Sequence, residues 1–240
     1  HLNANDPVLA SWGQNRPRCR FFAVSTSATG NRDPDSEGSL CPFCQQVLHY
    51  NSIHYAQLGI YSCPRCGFRP PPAQVSVQPS RAGIESGTAL LVRTPTEKIQ
   101  LISPLAGLNN VYNAAAALAA AVSWQPTISL RSLGPALASF QAPAGRSEYF
   151  RWPQLEKKAA LALVKNPTGF NQALATFLAQ PDLFPPLTLV IAINDLPADG
   201  RDVSWLKDIY LENIPLGTRV ICSGRRAWAI ANRFKDNLVP

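Results

Sequence analysis

Short apolar runs broken by turn residues fill the chain up to about residue 142, and beyond it buried-type strands alternate with helix-type stretches. Runs at 20–26, 74–77, 89–93 and 99–102 read as strands, the last two joined by Thr94-Pro95-Thr96-Glu97 as a hairpin turn. Residues 108–122 read as a helix whose alanines imply close packing, and 132–140 as a second helix. Asp6-Pro7 reads as a helix start, with the carboxylate as cap and proline in the first turn. Pro143-Ala144-Gly145 then breaks the pattern and sets a domain boundary, giving regions 1–142 and 143–240.

In the second region, strands at 159–165, 187–193 and 219–222 are interleaved with helices at 170–179 and 226–234. Such alternation predicts an α/β fold with a parallel sheet and right-handed crossovers. Ligands of these sheets bind beyond the carboxyl ends of the strands. Lys165, Asn166, Asn194, Asp195 and Ser223 occupy those ends and are expected on one rim. Asp195, Asp199 and Asp202 follow within one short segment. A turn capping a helix at 203–206 explains them structurally, and capping by Asp202 is compatible with a chemical role for Asp195 or Asp199.

Composition narrows the class. With 240 residues, 46% of them hydrophobic, the chain can bury one large core or two modest ones. The longest apolar run, 114–122, is far too short to span a bilayer. The first residues lack the basic and apolar regions of a signal peptide, so a cytoplasmic location is expected. No methionine occurs at position 1 or elsewhere, and a partial chain is expected. The formal charge of +7 suits nucleic acid, an anionic membrane face or phosphate-bearing small molecules, and does not choose among them.

Cysteine spacing is more specific. Cys41-Pro42-Phe43-Cys44 and Cys63-Pro64-Arg65-Cys66 are two C-x2-C pairs with eighteen residues between them, the spacing of a zinc ribbon. Two such turns complete a closed tetrahedral sulfur shell, which implies a structural rather than a catalytic ion. Four thiolates around one zinc add roughly two negative charges and bring the net charge nearer to +5. An iron–sulfur cluster is the competing occupant. Residues 47–50 and 60–61 read as strands of the ribbon hairpin, with His49 and His54 as surface residues. Cys222 reads as a core thiol.

Seven segments carry a family resemblance in order along the chain. They are Leu2-Asn3-Ala4-Asn5-Asp6-Pro7, the four-cysteine insertion, Gly107-Leu108-Asn109-Asn110-Val111-Tyr112-Asn113, Gly145-Arg146-Ser147-Glu148, Leu163-Val164-Lys165-Asn166-Pro167-Thr168-Gly169-Phe170-Asn171, Asn194-Asp195 with the stretch 198–205, and Ser223-Gly224-Arg225-Arg226-Ala227. Together they resemble the MurT family, the Mur-ligase-like subunits of lipid II isoglutaminyl synthases. The resemblance implies part of a Mur ligase central ATPase domain with a zinc ribbon inserted at about 38–72, then a Rossmann-like parallel-sheet C-terminal domain. The implied reaction uses ATP and magnesium to phosphorylate the α-carboxylate of D-glutamate in the lipid II stem peptide. Ammonia from a GatD-type glutamine amidotransferase partner then gives D-isoglutamine for peptidoglycan biosynthesis.

Residue roles follow from the same resemblance. Asn110 and Asn113 match positions lining the adenine pocket, and Arg146, Lys165 and Asn166 match positions near the nucleotide. Asp195, with Asp199 as second choice, matches the carboxylate that completes the partner's Cys–His pair. Cys41, Cys44, Cys63 and Cys66 are the implied zinc ligands. Two positions depart from the pattern: Asn109 replaces an aromatic residue and Lys207 a tryptophan. No G-x-x-x-x-G-K-[ST] loop occurs, so this chain alone is not expected to hydrolyse ATP. The implied substrate is lipid II, with peripheral contact to the inner membrane face and no nucleic acid. The alternatives are a Mur-type ligase adding an amino acid and a nucleic-acid-binding zinc ribbon.

Overall fold

The computed structural model describes residues 1–27, 38–83, 85–180, 187–197 and 199–235, the side chains of Arg81 and Ala82 excepted. Most of the polar, Gly/Asp/Pro-rich stretch 31–39, whose composition reads as a loop leading into the first cysteine pair, lies outside these residues, as does Ala198. Contacts divide the chain into two compact units, His1–Gln141 and Ala142–Pro240.

The first unit is built on a five-stranded mixed sheet. Its strands are β1 (Leu2–Asn3), β2 (Phe21–Val24), β5 (Val75–Gly83), β6 (Gly87–Arg93) and β7 (Lys98–Ser103), hydrogen-bonded in the order β1-β2-β5-β6-β7. β1, β2 and β5 are mutually parallel, and β5, β6 and β7 run antiparallel to their neighbours. β5 continues past Pro79, which falls at a register shift where its missing N–H disrupts least. The hairpin between β6 and β7 closes as expected, with Thr94 and Glu97 exchanging hydrogen bonds.

Helix α1 (Pro7–Gly13) is capped by Asp6, whose carboxylate accepts from the Val8 and Leu9 N–H groups. Helix α2 (Leu108–Trp124) presents Val111, Ala115, Leu118 and Ala119 as a buried face toward β2 and β5. Three of those four side chains are small or β-branched, so the helix axis can lie close to the sheet. Helix α3 (Leu130–Ala138) starts where the Glu97 carboxylate accepts from Ser129 Oγ and the Leu130 N–H. An acidic group at a helix N-terminus is favourable.

The cysteine insertion sits between β2 and β5, which pair with each other, so it leaves the sheet continuous. Within it, β3 (His49–Tyr55) and β4 (Leu58–Ser62) form an antiparallel hairpin longer than the pattern suggested. It has its own small core of Cys41, Leu48, Tyr61, Cys63 and Phe68, joined to Ala10 of α1. Asn5 ties hairpin to sheet: its amide donates to the Gly59 carbonyl and accepts from the Val24 N–H. His54 is buried, not on the surface as its polarity suggested, with Nδ1 against the Tyr112 hydroxyl of α2. His49 is exposed.

The second unit departs further from expectation. Residues 146–152, unassigned by pattern, form β8 (Arg146–Trp152), which pairs antiparallel with β9 (Lys157–Ala162). The two are joined by a tight turn in which Glu156 is left-handed, and this nearest neighbour in sequence takes one edge of β9 at little loop-closure cost. β9 ends at Ala162, short of Lys165. The parallel pair is β10 (Thr188–Ala192) with β11 (Arg219–Ser223). β9 does not ladder onto β10. A cavity of about 670 Å3, lined by Leu161, Leu163, Phe170, Leu174 and Val190, opens where the three-stranded parallel sheet was expected. Helix α4 (Pro167–Leu178), a 3-10 turn at Ser204–Asp208 and helix α5 (Ala227–Lys235) supply the core on Phe170, Leu174, Ile191, Ile193, Leu206, Ile230 and Phe234.

Candidate metal centre and carboxylate rim

The two C-x2-C turns bring four sulfur atoms together. All four Sγ atoms lie within 4.8 Å of one another, with Cys41–Cys66 and Cys44–Cys63 both 3.5 Å apart. Zinc–sulfur bonds of about 2.3 Å in a tetrahedron place sulfurs roughly 3.8 Å apart, so the cluster fits that ion. Each turn is closed by a backbone pair: Cys41 N–H to Gln46 O and Gln45 N–H to Cys41 O, then Cys63 N–H to Phe68 O and Gly67 N–H to Cys63 O. Gly67 is left-handed, as Gln45 is in the first turn. The Cys66 N–H points at Cys63 Sγ at 3.5 Å. Burial pushes the Cys63 thiol up, but N–H donors from Cys66 and Arg65 and the neighbouring thiols outweigh it and lower the group. The Cys66 thiol, although the Phe68 N–H favours its charged form, is pushed up by burial and by Cys63 beside it, so the first negative charge gathers on Cys63.

The cluster is braced from below. Tyr61 donates its hydroxyl to the Ala4 carbonyl, and burial pushes its phenol far above the ordinary range. Phe68 meets Phe43 edge-on at 5.0 Å and Tyr61 at 5.4 Å between ring centroids.

In the second unit, Asn194 and Asp195 follow β10 and meet the turn after β11. Asn194 Oδ1 accepts from the Arg225 N–H at 3.1 Å. Asp195 pairs with Arg226 Nε at 2.9 Å and with Arg225 Nη1 at 3.7 Å. Asp195 Oδ1 has no hydrogen-bond donor and is screened from water. Gly224 makes this meeting possible: it is left-handed, and a Cβ there would lie 2.3 Å from the Ile193 carbonyl oxygen. The arginine pair at 225–226 was not singled out from pattern; its position one turn beyond a strand end was the available signal.

Asp199 is exposed, its N–H bonded to the Leu196 carbonyl. Asp202, just before the 3-10 turn, accepts from the Ser204 N–H and hydroxyl, and those bonds hold its carboxyl below the ordinary range. Asn166 caps α4 by accepting from the Gly169 N–H, and Lys165 is exposed beside it. Arg146, exposed, opens β8. In the first unit, Asn110 is buried and donates to the Ala106 carbonyl at 2.7 Å, while Asn113 is exposed and donates to Asn110 Oδ1. The strand-end residues therefore divide. Asn194 and Asp195 join Arg225 and Arg226 in one cluster, and Asn166 serves its own helix.

A mixed-sheet core carrying an inserted hairpin, followed by a second α/β unit, has the fold of Mur-type ligases. A pseudomurein peptide ligase type C from Methanothermus fervidus shares the fold, with a TM-score of 0.63 over 86% of this chain and 38% of that one at 24% identity. The family model "MurT ligase C-terminal" matches residues 163–240. The MurT subunit of lipid II isoglutaminyl synthase (glutamine-hydrolyzing) from Staphylococcus aureus strain COL is 29% identical over 98% of this chain and 51% of its own length. The subunit of the same name from Streptococcus pneumoniae R6 is 33% identical over 75% of this chain and 38% of its own. The chain is similar to MurT subunits along nearly its whole length, and its last third matches the C-terminal model of that family. It spans about half the length of the curated relatives it matches. No described helix is long and apolar enough to cross a membrane.

Proposed function

We propose that the full-length protein is the ligase subunit of a lipid II isoglutaminyl synthase. It activates the D-glutamate α-carboxylate of the stem peptide with ATP, and ammonia from a GatD-type glutaminase displaces the phosphate. The observation that carries this reading is the similarity along nearly the whole chain to subunits named for that activity. The chemistry needs an activated carboxylate because a free one is a poor electrophile, and magnesium with cationic side chains would stabilise the transferring phosphoryl. Lys165 and Arg146, both exposed cations, are proposed beside the nucleotide, with Asn166, Asn110 and Asn113 as its polar contacts. Asn110 would act mainly by shaping the start of α2, since its amide already serves the Ala106 carbonyl.

Cys41, Cys44, Cys63 and Cys66 are proposed to hold one zinc ion as a structural clip. It would supply no reaction chemistry, and it would fix the two turns against α1. Asp195 is proposed as the carboxylate that orients the partner's histidine. Its Oδ1 lacks a donor and lies beneath Arg225, whose side chain is 68% exposed and can swing aside. Asp199, already open to solvent, is the second candidate.

The test is reconstitution of the full-length protein with a GatD-type subunit, lipid II, glutamine and ATP. Amidated lipid II is the expected product. A complex that assembles yet leaves the carboxylate free contradicts the reading. Asp195→Asn should lower partner glutaminase activity by about 100-fold or more, as loss of a triad's orienting carboxylate does. Full activity in that variant with loss in Asp199→Asn would move the role to Asp199.

A further inference from the structure

The first unit carries a basic, apolar-tipped surface beside the cysteine cluster that the ATP chemistry does not use. A groove of about 1000 Å3 runs between the segment after α1 and the second cysteine turn. Arg16, Arg20 and Arg69 line it, with Phe43 at one wall and Phe21 and Phe68 behind them. Arg18 and Arg65, adjoining lining residues in sequence, are exposed too. None of these five arginines forms an ion pair with a described residue. The first cysteine turn beside the groove is apolar where a polar loop is the norm: Phe43 is 54% exposed and Val47 53%, and Leu40 is exposed with them. Trp12, next to Gly13 at the groove's edge, is exposed as well.

We propose that this surface docks on an anionic phospholipid bilayer, with the Leu40–Phe43–Val47 tip in the headgroup layer and the arginines on lipid phosphates. Charge complementarity argues for it, since five exposed arginines that pair with no described acidic residue are attracted to a negative leaflet. The tip argues against nucleic acid: bases stack on aromatic planes, and exposed leucine and valine give them nothing. An apolar tip beside a groove lined with cations is the pattern of interfacial binding, where burial and electrostatics add. The zinc clip proposed above would hold the tip rigid. The proposal deepens the lipid II reading and rests on it for the reason to dock.

The experiment is co-sedimentation of the full-length protein with vesicles of phosphatidylcholine alone and of phosphatidylcholine with an equal part of phosphatidylglycerol. Binding to the anionic vesicles only, weakening as salt rises, is expected. Replacing Arg16, Arg20 and Arg69 together by Gln should lower the partition coefficient by about 100-fold, since each cation near the surface contributes about tenfold or less. The triple Lys replacement should restore it, because a bilayer reads charge and not the guanidinium fork. Phe43→Ser should cost about tenfold. Absence of binding to anionic vesicles at low salt, or equal binding by the Gln variant, overturns the proposal. So does retention of a single-stranded RNA, lost in the Gln variant, at salt that releases the vesicles. Amidation of detergent-solubilised lipid II separates the two readings. The Gln variant should keep that activity while losing vesicle binding, and vesicle binding without any amidation would count against the functional reading alone.

Discussion

The two cysteine turns and the Asp195 cluster are both built from residues just outside regular elements, yet they are held in different ways. Each cysteine turn closes on itself through two backbone hydrogen bonds, and the hairpin between them packs on its own small core. The Asp195 cluster closes nothing locally. It exists because the turn after β11 reaches across to the end of β10 and because Gly224 allows that approach. The same contrast holds for their units. The first buries a continuous core along its sheet, whereas strands of the second expose Leu161, Val190 and Ile221. A site closed by local contacts tolerates change in the rest of the fold. A site made by two turns meeting inherits every displacement of the strands behind it.

The largest effect should come from breaking the self-closed site. Cys41→Ser should abolish stoichiometric zinc and unfold the β3–β4 hairpin, because structural zinc contributes on the order of 10 kcal/mol to small domains. Metal analysis with hydrogen exchange would show protection lost in the hairpin first and retained in β6. Retained protection without metal would mean that the Leu48–Tyr61–Phe68 core suffices alone.

The two cores should differ next. Leu90→Ala, at a fully buried position, should cost about 2–5 kcal/mol. Leu161→Ala, half exposed, should stay within about 0.5 kcal/mol. Urea midpoints of the two variants would test this, and equal losses would erase the contrast between the units.

Acid should weaken the attachment of the hairpin to α2. Desolvation by burial lowers His54 from 6.5 to about 4. The unfolded chain then binds the extra proton across that window, so stability is present above about pH 6.5 and is lost as pH falls toward 4. The loss should be about 2–3 kcal/mol. His54→Phe should flatten the curve, and an unchanged slope would show that other groups carry it.

The smallest effect belongs to the exposed ion pair. Arg226→Ala should change stability by less than about 1 kcal/mol. A larger loss would show that the Asp195 cluster is a structural clasp as well as a candidate contact for the partner.

Legibility followed the same division. The cysteine spacing alone located the four-sulfur cluster, because two C-x2-C turns carry their geometry with them. Asp6-Pro7 located the first helix for the same reason, as the cap is a local contact. Strands β2, β6 and β7 were legible as apolar runs, whereas the two-residue β1 and the part of β5 beyond Val77 were not. β8 was not: Arg146, Glu148, Phe150 and Trp152 alternate with Ser147, Tyr149 and Arg151, so charged residues fall in both sets and neither is apolar, and its pairing with β9 comes from the turn that joins them. β9 in turn could not be told from a parallel strand, since an apolar run says that a strand is buried and not which neighbour it takes. His54 was misplaced because a polar side chain in a hairpin reads as outward, and only the packing of β3 on α2 reveals that it faces in. Asp195 was legible as a strand-end carboxylate, while its arginine partners required the fold.

The functional account turns on where the amide nitrogen comes from. The most direct measurement supplies the full-length protein and a GatD-type glutaminase with lipid II, ATP and glutamine isotopically labelled in its side-chain amide nitrogen. The account predicts the label in the α-carboxamide of the stem-peptide glutamate, with none incorporated when ATP is withheld. Label released as free ammonia with an unmodified lipid II, under conditions where both subunits are bound and ATP is present, would contradict it.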